Sequence, residues 1–153
     1  MSPRSPAPLA SATLTARPSS SACKEASTVP PSLLPGPTLK LEVIDGNVGL
    51  LTFDTPGARA NTLGAAVIEE FTGAVKVLAS RTDLRGLIFK SGKPGTFIVG
   101  ADLREFGSMP PDPELRKAVV RRGLDLLAAF EDLPYPTVAA IEGPCAGGGL
   151  EVA

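Results

Sequence analysis

The chain has 153 residues, 43% of them hydrophobic and 20% charged, with a net charge of −1 at pH 7. That length builds one modest domain with a real core, and the near-neutral balance leaves no electrostatic footprint for nucleic acid or an anionic membrane. Histidine is absent, which excludes Ser-His and Cys-His nucleophilic systems within these residues and argues against a zinc or other metal site.

No apolar run approaches the ~20 residues that a membrane-spanning helix needs. The longest, around Leu124 to Phe130 and Val138 to Ile141, read as interior helix and strand material. Cys23 and Cys145 stand far apart in unlike surroundings, so a reducing compartment fits better than a disulfide framework.

Residues 1–37 differ in kind from the rest. They hold eight of the 16 prolines and eight serines, with no aromatic residue. Such a segment buries too little surface to offset its ordering entropy and is read as disordered. A flexible tail, a start codon set too far upstream, or a transit-like leader (Arg4 and Arg17 among Ser and Ala) all fit it. The ordered domain is expected over residues 38–153.

Leu39 to Asp45 alternates apolar with polar residues, the period of a half-buried strand. Gly46-Asn47 is a tight-turn pair, and Val48 to Phe53 supplies the returning strand of a hairpin. Asp54-Thr55-Pro56-Gly57 breaks it. From Leu63 the period lengthens: Leu63, Val67, Phe71, Val75 and Leu78 form one helical stripe, with Asn61 or Thr62 as its cap. Arg85 to Lys90 is a short buried strand, and Thr96 to Asp102 runs from strand into a Gly-Ala-Asp turn. A short helical piece, Leu103 to Met109, stops at Pro110-Pro111. Asp112 caps a second long helix, with Pro113 in its first position and Leu115, Val119, Leu126, Leu127 and Phe130 on its inner face. Arg116, Lys117, Arg121 and Arg122 form its solvated face. Pro134 and Pro136 end it before strand Thr137 to Ile141, which delivers the chain into Gly143 to Gly149 and a final helix. The order predicts an α/β layered fold with crossover connections.

Two strand ends therefore run into small-residue turns, Val99-Gly100-Ala101-Asp102 and Ala146-Gly147-Gly148-Gly149, and ligands of α/β proteins bind where such ends converge. Glycines opening a helix expose free N–H groups, and Glu151 in the first turn sets a carboxylate beside them, a pairing suited to developing oxyanion charge and proton transfer. Close helix–strand packing accounts for the glycines equally well, and Glu151 reads equally as a favourable helix-start charge. Cys145 is a small packing residue or a nucleophile without a base. Neither a dinucleotide Gly-x-Gly-x-x-Gly, nor a P-loop, nor a Gly-x-Ser-x-Gly elbow is present.

Phe97-Ile98-Val99-Gly100-Ala101-Asp102-Leu103-Arg104-Glu105, Ala60-Asn61-Thr62-Leu63 and Pro136-Thr137-Val138-Ala139-Ala140-Ile141 through Gly147-Gly148-Gly149-Leu150-Glu151 resemble three ordered motifs of the enoyl-CoA hydratase/isomerase (crotonase) family. Their wording is closest to the hydratase portion of multifunctional fatty-acid-oxidation α-subunits. The resemblance spans residues 39–153. It implies a crotonase-like spiral of ββα units, here its N-terminal part, binding an acyl-CoA thioester. It also implies backbone N–H groups of Ala101 and Gly148 as an oxyanion hole and Glu151 as the first of two catalytic glutamates adding water to a 2-enoyl-CoA. Arg59, Ala60, Val99, Asp102, Leu103 and Gly147 fall where the family contacts coenzyme A. No cofactor is implied beyond the coenzyme A of the substrate, and the family is usually oligomeric. Its members act in the cytoplasm of bacteria or the mitochondrial matrix of eukaryotes.

The family's second glutamate lies beyond the glycine–Glu helix, past Ala153, so these residues alone are expected to be inactive and poorly folded. A Δ3-Δ2 isomerase or thioesterase shares the same hole and differs in its acid and base groups. A non-catalytic CoA-ester-binding or assembly module is the reading from a different class.

Overall fold

The computed structural model describes Leu34, residues 36–109 and residues 111–153. The Pro- and Ser-rich segment lies outside the described residues except for Leu34, Gly36 and Pro37, and Leu34 is half-buried against the core. In chain order the elements are β1 (Leu39–Ile44), β2 (Val48–Phe53), β3 (Asn61–Leu63), α1 (Ala65–Ala79), β4 (Gly86–Ser91), β5 (Ile98–Ala101), α2 (Leu103–Ser108), α3 (Pro113–Glu131), β6 (Thr137–Ala140) and α4 (Gly148–Val152).

The hairpin forms as its sequence predicts. Gly46 and Asn47 both take positive φ, 79° and 59°, the turn conformation that suits two twisted antiparallel strands. β2 then pairs in parallel with β4, and β4 with β6, each through a helical crossover, giving a four-stranded sheet of order β1-β2-β4-β6. A second, two-stranded parallel sheet joins β3 to β5.

Alternate residues of β2 and β4 face inward, and α1 contributes Phe71, Ala74, Val75 and Leu78 to the same core. At its centre Phe89, 1% exposed, meets Phe53, Phe71, Phe97 and Phe130 with ring centroids 5.3–6.5 Å apart across the cluster. Burying one such ring stabilises the fold by about 1.5–3 kcal/mol, so this cluster ties sheet to helices.

Three expectations change. Asn61 does not cap α1; it begins β3 and is fully buried. Its Nδ2 donates to the Phe53 carbonyl (2.7 Å) and to Ser91 Oγ (3.0 Å), while its Oδ1 accepts from Thr55 N–H (2.9 Å). One buried amide thus ties three segments together: Thr55 N–H has it as partner, while the Phe53 carbonyl and Ser91 Oγ share it with Gly92 N–H and Lys93. α1 starts after Gly64, which offers no side-chain cap.

The second change concerns α3. Asp112 caps it as predicted, Oδ1 accepting from Glu114 N–H at 2.9 Å, but only the C-terminal part of its apolar face packs. Leu126 and Phe130 are buried and Leu127 half-buried, whereas Leu115 and Val119 are exposed because the first turns of the helix run past the core.

The third is β6, which is an edge strand and not interior. Val138 and Ile141 are 59% and 48% exposed, and the strand's inward contact comes through Ala139. Among the described residues no helix is long and apolar enough to cross a membrane.

Candidate active site

The second, smaller sheet builds the site. Parallel pairing sets Asn61 against Ile98 and Leu63 against Ala101, so the carboxyl ends of β3 and β5 open side by side. The glycine turn is strapped along β5 from the other side: Phe97 N–H donates to the Pro144 carbonyl (3.0 Å) and Ala146 N–H to the Ile98 carbonyl (3.1 Å).

Gly147 has φ 52° and ψ −129°, a conformation that a residue with a Cβ avoids. That kink starts α4, whose Leu150 and Glu151 N–H groups return to the Gly147 carbonyl at 2.9 and 3.2 Å. Gly149 sits so close to β5 that an added Cβ would fall on the Ile98 carbonyl oxygen. Packing and turn geometry thus account for the outer two glycines. Gly148 is the first helical residue, where helix geometry offers its N–H no acceptor.

A cavity of about 550 Å³ opens here, with Ala101, Asp102, Gly148 and Glu151 in its wall, Leu63 and Val152 beside them, and Leu127 of α3 opposite. It holds three carboxylates in different states. Asp102 Oδ1 accepts from Arg104 N–H (2.9 Å), closing the start of α2, and Glu105 Oε2 accepts from Ala65 N–H (2.6 Å). The Glu151 carboxylate makes no hydrogen bond or ion pair among the described residues. It is the carboxylate left free for a ligand. A wider groove of about 740 Å³ between α1 and α3 contains neither the glycine turn nor Glu151, so it offers none of this chemistry.

The structure brings together Ala101, Asp102, Gly148 and Glu151 from the two motifs that the sequence singles out. It leaves Arg59, Ala60, Val99, Leu103 and Gly147 outside the cavity wall. Val99 and Leu103 are 39% and 81% exposed, Arg59 is exposed, and Ala60 leads into β3. Cys145 is half-buried and packs against the core, the role of a small packing residue. Two residues that sequence reasoning passes over are Leu63 and Glu105. The signal for Glu105 was available: α1 has neither a capping side chain nor an acid in its first turn, so an acceptor has to come from elsewhere.

The fold agrees with comparisons to known proteins. A sequence model of the enoyl-CoA hydratase/isomerase family matches residues 43–153, and the chain belongs to that family. Among curated relatives it is 42% identical over 113 residues to the fatty acid oxidation complex subunit alpha of Vibrio vulnificus, an alignment covering 74% of this chain and 16% of that protein. Among solved structures, an enoyl-CoA hydratase/carnithine racemase from Magnetospirillum magneticum superposes with a TM-score of 0.70 at 28% identity, over 78% of this chain and 44% of that one. An enoyl-CoA hydratase from Bacillus anthracis gives 0.68 at 26% identity, over 76% and 44%. The chain therefore spans less than half of these structures, and its α/β architecture is part of the crotonase-type fold.

Proposed function

We propose that the protein carrying this chain is an enoyl-CoA hydratase, adding water across the 2,3 double bond of a trans-2-enoyl-CoA in fatty acid β-oxidation. One observation carries the reading: the free carboxylate of Glu151 shares a cavity with Ala101 and Gly148, whose N–H groups lie at a strand end and a helix start.

In this reading the thioester carbonyl oxygen accepts hydrogen bonds from Ala101 and Gly148. Water oxygen bonds to C3 as Glu151 takes one of its protons, and the π electrons move to leave an enolate on the thioester. That proton, returned from Glu151 to C2, restores the carbonyl and leaves Glu151 a carboxylate again. The two amides act where the negative charge develops, and losing one such donor costs about 3 kcal/mol in the transition state. Leu63, Leu127 and Val152 give the acyl chain an apolar wall.

A second reading has its own support. Among the described residues the cavity offers one unoccupied carboxylate, and a Δ3-Δ2 isomerase can shift a proton with a single base. Incubating the intact protein with crotonyl-CoA in isotope-labelled water separates the two. Label at C3 of a 3-hydroxyacyl-CoA product supports the hydratase; unlabelled interconversion of 3-enoyl- and 2-enoyl-CoA without hydration sinks it in favour of the isomerase.

A further inference from the structure

Glu105 belongs to the Gly-Ala-Asp motif segment, yet the reaction above gives it no part. Its carboxylate reaches out of α2 to the N-terminus of α1, where Oε2 accepts from Ala65 N–H at 2.6 Å. Three features fit that contact. Gly64 at the N-cap brings no side chain to serve the helix, and the first turn of α1 holds no acid. A Cβ at Gly64 would lie 2.8 Å from Glu105 Oε1 and 3.1 Å from its Cδ, so the glycine leaves room for the incoming carboxylate. A negative charge is also favourable at that end of a 15-residue helix.

At the other end of the same short segment, Asp102 N–H donates to the Leu63 carbonyl at 3.2 Å. Residues 102–105 therefore hold residues 63–65 at two points. Leu63 in turn touches both halves of the proposed oxyanion hole. It pairs in register with Ala101, and its Cδ1 lies 3.0 Å from where a Gly148 Cβ would stand.

We propose that Glu105 is a positioning residue of the oxyanion hole: by fixing α2 to the start of α1 it sets Leu63, and through Leu63 the separation of the Ala101 and Gly148 N–H groups. The proposal rests on the acyl-CoA reading given above. Misplacing reacting groups by about 1 Å costs about 100-fold in rate, so the loss expected on freeing this contact is about 10- to 100-fold in kcat.

The test uses the intact protein with Glu105→Ala and Glu105→Gln, reading crotonyl-CoA turnover, melting temperature, and the apparent pKa of bound acetoacetyl-CoA from its enolate absorbance. That pKa reports oxyanion stabilisation directly. Glu105→Ala should lower kcat by that factor with KM within about threefold and raise the ligand's enolisation pKa. Glu105→Gln, which keeps an acceptor for Ala65 N–H, should restore most of both. If the alanine variant fails to fold, Glu105→Gln decides by itself, and turnover below a tenth of wild type would overturn the proposal. A lower melting temperature with unchanged kcat and unchanged enolisation pKa assigns Glu105 a structural role and overturns it too. If the unsubstituted protein neither turns over crotonyl-CoA nor enolises acetoacetyl-CoA, the functional reading itself fails, and this inference falls with it.

Discussion

Gly149→Ala puts the packing of the glycine turn to a direct test. The substituted Cβ would fall on the Ile98 carbonyl oxygen and 2.8 Å from Ile98 Cβ, at least 0.6 Å inside the 3.4 Å at which ordinary contact begins. The obstacle is strand backbone, which cannot swing aside as a side-chain tip can. α4 must therefore move off β5, taking Gly148 N–H away from Ala101. Overpacking of this kind costs about 1–3 kcal/mol in stability. A displacement near 1 Å costs about 100-fold in kcat, the same order as losing one oxyanion donor. KM should change less, since the apolar wall of Leu63 and Leu127 stays in place. Initial rates of crotonyl-CoA hydration by the intact protein, with thermal melting alongside, give both quantities. Wild-type kcat together with a wild-type melting temperature would refute the reasoning, because α4 would then not be seated on β5 as described.

Two further substitutions probe the frame around the site. Asn61→Ala leaves Thr55 N–H without its partner and takes from the Phe53 carbonyl one of its two donors, Gly92 N–H remaining at 2.8 Å; it should cost about 1–3 kcal/mol by chemical denaturation, and a loss below about 0.5 kcal/mol would contradict this bonding role. Tyr135 donates its hydroxyl proton to the Leu78 carbonyl at 2.9 Å, and burial raises its pKa above the usual tyrosine value. Its contribution to stability is therefore complete below about pH 10, where the unfolded tyrosine begins to ionise, and declines as pH rises through the folded value. Tyr135→Phe should lower stability at neutral pH by about 1 kcal/mol and flatten that alkaline decline; an unchanged pH profile between the two proteins would count against it.

Features governed by local physics were legible in the sequence. Gly46-Asn47 accepts the positive φ that a tight hairpin demands, and Asp112-Pro113-Glu114 carries its helix start in three residues. Gly147 to Glu151 reads as a glycine turn opening a helix with a carboxylate in its first turn, and that is where the cavity lies. What failed depended on long-range partners. Asn61 looks like a cap because a cap is the commonest local use of asparagine; its true partners, Phe53, Thr55 and Ser91, come from chain up to 30 residues away. The apolar stripe of α3 continues through Leu115 and Val119, but periodicity records which side could pack, and nothing among the described residues covers that end. The strand ending in Ala101 was legible, whereas its pairing with β3 was hidden, because a three-residue strand carries no periodicity. Glu105 stands within a motif, but its acceptor role depends on an uncapped helix 40 residues earlier and so is hidden in its own neighbourhood.

In the proposed reading Glu151 is the proton-transferring carboxylate of an acyl-CoA site whose oxyanion is held by backbone amides. Glu151→Gln in the intact protein tests it most directly, because the amide keeps the size and removes the base. The expected result is a fall in kcat for crotonyl-CoA hydration of about 1,000-fold, with affinity for a non-reacting acyl-CoA within about threefold of wild type. Hydration within about tenfold of wild type by the glutamine variant would contradict it.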